Sequence, residues 1–181
     1  VTFPGNVTCS GTATGFGGGN VKYTTSSRVD LNGVAVAEFT VPANCFSLWL
    51  TIRDLSRAST SNVSVLVQAG GSYVSSGYKF TSGYIESAGN TWLASEANDS
   101  HWHFLGGLTG AGHTMEGQFE MKKFEDHAWT HSWIGADMSS NRQSLSSGYI
   151  PLSSELQKVK VTSSSGNFDD GAITAHFLEL L

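Results

Sequence analysis

A chain of 181 residues with 39% hydrophobic and 11% aromatic content can bury a core of moderate size, which excludes an intrinsically disordered segment. The net charge of −5 argues against a nucleic-acid partner, and no apolar run reaches the ~18 residues that would predict membrane insertion. With 21 glycines, 3 prolines and only 14% charged residues, no segment is dense in helix formers, so the composition predicts an all-β protein rich in turns.

Residues 1–20 contain Gly15-Phe16-Gly17-Gly18-Gly19 and read as a short glycine-rich N-terminal arm or connector; residues 21–181 read as one β-domain. Residues 34–41 form the first strong strand, stopped at Pro42. The next, 46–52, places Phe46, Leu48, Leu50 and Ile52 on one face. Residues 56–62 read as a polar turn and 63–68 as a third strand. Cys9 and Cys45 are the two cysteines. They allow one disulfide, but Cys45 adjoins an apolar run, where a buried free thiol is the plainer reading.

Gly70-Gly71 breaks the third strand, and a new segment begins near Tyr78. Residues 92–112 give no clear period, with Gly106-Gly107 and Gly110 favouring a loop. Residues 114–124 alternate again, setting Met115, Gly117, Phe119 and Met121 against Glu116, Gln118, Glu120 and Lys122. The strand at 129–135 puts Trp129 and Trp133 on one face. Near the end, Val159 and Val161 oppose Lys158 and Lys160; a polar turn then leads to an Asn167-Phe168-Asp169-Asp170-Gly171 corner and a last strand that must be paired. Roughly eight to ten strands of this length predict an antiparallel two-sheet sandwich of jelly-roll type.

His101-Trp102-His103 is the most conspicuous local motif. Histidines two apart on a strand point the same way and would ligate a metal given a third ligand, for which His113, His127 and His131 are candidates. No cysteine or carboxylate is read at a metal-typical spacing beside them, so the expectation is no metal and no other cofactor, with these histidines facing solvent or a subunit interface. Glu116 and Glu120 share a face, as carboxylates of glycoside hydrolases do, but Lys122 continues that face as an ordinary polar stripe. Asp169-Asp170-Gly171 reads as a tight turn in preference to a calcium loop. No Gly-x-Ser-x-Gly elbow is present, and no enzymatic activity is expected. Among the aromatics, Trp129 and Trp133 read as core. Trp102 and Tyr84, in glycine-rich surroundings, are the candidates for exposed sugar contact, with His101 and His103 beside them.

The order of motifs resembles a β-sandwich module of bacteriophage virion proteins, found at tail-fibre C-termini and as head decoration. The pieces that carry the likeness are Glu38-Phe39-Thr40-Val41-Pro42-Ala43-Asn44, Ser61-Asn62-Val63-Ser64-Val65-Leu66-Val67-Gln68-Ala69-Gly70 and Ser75-Ser76-Gly77-Tyr78. Most specific is the closing Leu156-Gln157-Lys158-Val159-Lys160-Val161-Thr162 with Asn167-Phe168-Asp169-Asp170-Gly171-Ala172-Ile173. The likeness spans about residues 34–181, with a poor match at 93–112. It implies a non-enzymatic structural protein on the virion surface, a homotrimer in contact with other virion proteins. Its expected role is a receptor-binding tip touching host surface glycan. A capsid decoration (cement) protein is the alternative, and a jelly-roll glycan hydrolase or a lectin stands further off.

Overall fold

The computed structural model describes residues 20–57, 62–86, 89, 91–103 and 113–181. All of the expected arm except Asn20, including Cys9, therefore lies outside the described residues. The strands are β1 (Val21–Thr25), β2 (Val29–Asp30), β3 (Val36–Thr40), β4 (Cys45–Arg57), β5 (Val63–Ala69), β6 (Ser72–Tyr73) and β7 (Tyr78–Glu86), followed by β8 (Thr91–Asp99), β9 (Trp102–His103), β10 (Met115–Lys123), β11 (Ala128–Asp137), β12 (Arg142–Pro151), β13 (Leu156–Ser163) and β14 (Phe168–Leu180). Among the described residues there is no helix.

The expected two-sheet antiparallel sandwich is what forms. The larger sheet runs β1-β14-β4-β10-β11-β12-β7-β8, with β2 also on β14; the smaller runs β3-β13-β5-β6, with β9 also on β5. The last two strands, adjacent in sequence, lie in opposite sheets, because the turn at 164–166 carries the chain across the sandwich. The final strand is paired on both sides, by β1 and by β4.

Period-two alternation builds the core. From the larger sheet come Leu48, Leu50, Phe119, Met121, Ile173 and Phe177; from the smaller come Phe39, Val65, Val67, Val159 and Val161. Each such side chain contributes about 1.5–3 kcal/mol on leaving water. Trp129 and Trp133 are both buried on the inner face, as their spacing predicts. Cys45 is a buried free thiol, with burial pushing its pKa up to about 11.

One expectation is corrected in β4, which continues through Ser56 and Arg57 where a polar turn was expected. The cause is a bulge. Asp54 adopts φ 51°, and the pairing with β10 skips from Ile52↔Gly117 to Leu55↔Met115, so Ile52 and Leu55 both face inward although three residues apart. Gly171, at φ 109°, packs against this bulge: a Cβ there would lie 2.6 Å from Leu55 Cα. Asp170 Oδ1 accepts the Gly171 N–H at 2.7 Å, so this aspartate serves the backbone of the corner.

Trp133 lies over two glycines that face each other across β10 and β11, Gly117 and Gly135. A Cβ on Gly135 would come 2.0 Å from Trp133 Cζ2, and the indole is anchored by its Nε1 donating to Ser144 Oγ at 2.7 Å. Gly135→Ala is therefore expected to lose about 2–3 kcal/mol by overpacking, read from the midpoint of chemical denaturation. A variant as stable as the parent would mean that the indole has another place to lie.

Candidate functional site

The smaller sheet covers the inner face of the larger one, and the larger sheet presents its other face outward. Its registers align Thr25, His176, Trp49, Glu120, Ser132 and Ser147 in a continuous row across β1, β14, β4, β10, β11 and β12. At one end of this face Tyr23, Trp49 and His176 form a triangle of near-parallel rings. The centroids are 5.8 Å apart for Tyr23–Trp49, 5.1 Å for Trp49–His176 and 6.1 Å for Tyr23–His176, with interplanar angles of 16°, 13° and 7°. Tyr23 is 56% exposed, and Trp49 and His176 are half-buried.

Both His176 nitrogens are engaged, Nδ1 at 2.7 Å from Tyr23 Oη and Nε2 at 3.2 Å from Thr51 Oγ1. Burial lowers its pKa from the ordinary histidine value, so the ring is neutral at pH 7. Glu120, Trp49's direct neighbour in register, pairs with Lys122 at 3.0 Å. The result is an aromatic patch bordered by hydroxyl, carboxylate and ammonium groups. That composition suits a polyhydroxylated ligand with apolar C–H faces. Sequence reasoning passed over Tyr23 and Trp49. The available signal was phase: Trp49 shares the outward side of β4 with Thr51, while Leu48, Leu50 and Ile52 alternate inward.

Trp102 corrects the expectation of an exposed sugar contact: it has 0% exposure. Its indole stands edge-on to Tyr78 at 5.1 Å and 4.3 Å from the His131 ring, and Nε1 donates to the Lys79 carbonyl at 3.3 Å. Tyr84 falls on the inward phase of β7 and is packed partly into the core, with the Arg142 guanidinium 4.9 Å above its ring. It too departs from the exposed position expected of it.

His101 and His103 are half-buried and do meet, ring centroids 4.3 Å apart at 81°. The carboxylate that the sequence reading overlooked is Asp99, two residues before His101, whose Oδ2 lies 3.8 Å from His103 Nε2. Burial, then the nearby His101, lower the His103 pKa against the opposing pull of Asp99. None of the other histidines named as a third ligand joins them in the cluster of donor atoms found among the described residues. His113 Nδ1 instead pairs with Asp137 Oδ2, and His131 Nε2 lies 2.7 Å from Ser146 Oγ inside the core. His127 Nδ1 stands 3.6 Å from Glu155.

No family model matches this chain, and no curated protein matches it.

Proposed function

We propose that this chain is a non-enzymatic surface module of a bacteriophage particle, a receptor-binding tip of the tail-fibre kind that contacts host surface glycan. The observation that carries the reading is the Tyr23–Trp49–His176 triangle on the outer face of the larger sheet. A rigid sheet holds the three rings in one orientation, so little conformational entropy is lost when a sugar stacks on them. Thr51, Glu120 and Lys122 supply hydroxyl, acceptor and donor groups at the border of the rings. The closing-strand motifs that resemble virion modules add the particle context.

Association as a homotrimer belongs to the same proposal. Ile134 and Leu145 are paired across β11 and β12, and Leu93 lies two strands further on, beyond Gly83. They are 66%, 49% and 84% exposed, an apolar strip that a second copy would cover.

The test uses binding to a panel of bacterial capsular and lipopolysaccharide glycans. Trp49→Ala removes a ring from the outer face and is expected to weaken retention roughly tenfold, the worth of one lost stacking contact. If no glycan of the panel retains the wild-type chain, or if Trp49→Ala binds as well as wild type, the glycan reading is lost.

A further inference from the structure

The chain leaves the larger sheet at Asp99, the last residue of β8, and joins the smaller sheet at Trp102. In between it bends at Ser100 and His101. Trp102 is locked inward, so alternation turns its two neighbours to the opposite side, where their rings meet. The bend then folds the Asp99 carboxylate back against them. One donor atom from each of Asp99, His101 and His103 lies within 4.8 Å of the other two.

We propose that Asp99, His101 and His103 form a binding site for a borderline divalent transition-metal ion, zinc in the first place, at this crossing between the sheets. Two imidazoles and one carboxylate are a donor set that zinc accepts with a further position left to water or another ligand. A tetrahedral ion with bonds of about 2.0–2.2 Å holds its donors roughly 3.4 Å apart. The 3.8 Å between His103 Nε2 and Asp99 Oδ2 is too long for a hydrogen bond and needs to close by only a few tenths of an ångström to meet that spacing.

Surrounding groups orient the ligands. Ser100 Oγ donates to Asp99 Oδ1 at 3.2 Å and lies 2.7 Å from His101 Nδ1. With its hydrogen given to the carboxylate, the hydroxyl accepts from Nδ1–H, which leaves the lone pair of His101 on Nε2. His103 stands edge-on to Phe80 at 5.6 Å, and its Nδ1 is buried with no hydrogen-bond partner among the described residues. The side chains of Asp99 and His103 keep 24% and 20% of their surface exposed, so an ion has a way in.

The experiment is calorimetric titration of the full chain with zinc chloride at neutral pH, with cobalt(II) absorption as a second readout of direct ligation. Wild type is expected to take up a single equivalent, to melt at a higher temperature as zinc is added, and to give the intense visible bands of low-coordinate cobalt. His101→Ala and the isosteric Asp99→Asn are each expected to weaken binding by roughly tenfold or more, whereas His127→Ala, remote from the cluster, leaves it unchanged. Absence of zinc uptake by wild type, or uptake that both cluster variants retain, overturns the site.

Discussion

Acidification from pH 6.5 toward pH 4 is expected to remove stability from this fold at up to about 1.4 kcal/mol per pH unit through His131 alone. The ring is 4% exposed, stacked on Phe119 at 5.1 Å and tilted against Trp102 at 4.3 Å. Burial pushes its pKa down to about 3. In the unfolded chain the same group titrates near the ordinary value of about 6.5. Between those two values the unfolded state holds one proton more than the folded state. Stability from this group is therefore fully present above pH 6.5 and is lost as the pH falls toward 3. His103 and His176 are lowered too and act in the same direction.

Asp137 works in a different window. Burial raises its pKa, but hydrogen bonds from Ser140, His113 and the Ser139 N–H outweigh that and leave it below the usual carboxylate range. Its contribution is present above about pH 4 and is lost only below that. Denaturant titrations at successive pH values will separate the terms. His131→Phe keeps a ring in the site and removes its proton, and should flatten the pH 6–4 slope by about one proton's worth. An unaltered slope in that variant would mean that His131 does not carry the linkage.

Trp102→Ala is expected to cost about 3–5 kcal/mol, a fall in melting temperature of roughly 10 °C or more. The size of the effect follows from its position. Trp102 belongs by backbone pairing to the smaller sheet, through Val65, yet its ring packs on Tyr78, Phe119 and His131 of the larger one. Truncation opens a void that both sheets line and removes the Nε1 donor to the Lys79 carbonyl. A surface ring used for sugar contact would give the opposite pattern, weaker binding with little change in melting. Calorimetry on the variant decides between them, and a loss under about 1 kcal/mol would contradict the packing described above.

Strand phases were readable wherever one face is buried and the period is unbroken. β10, β11 and β13 place Phe119, Trp129, Trp133, Val159 and Val161 inward as alternation predicts. What escaped depended on geometry that no spacing encodes. The positive φ of Asp54 resets the phase of β4, and the terminal strands β1 and β14 pair side by side in the larger sheet although they lie at opposite ends of the described sequence. At the candidate sites, glycine-rich surroundings suggested exposure for Trp102, although a tryptophan between two histidines is also what an inward phase flanked by outward ones looks like. Trp49 is the converse case, an aromatic on the outward phase of a strongly amphipathic strand. Asp99 stands at the same two-residue spacing from His101 as His103 does, a signal the reading of the motif passed over; the bend at Ser100 is what no residue count reports.

Because β14 is threaded between β1 and β4, a nascent chain cannot seal the larger sheet until β14 has emerged from the ribosome. Leu48 and Leu50 on β4 must wait for Phe177 and Ala175, their register partners, while more than a hundred intervening residues are translated. Closure therefore depends on contacts distant in sequence, which fold slowly, and copies truncated before β14 would display an unzipped apolar edge to chaperones and proteases.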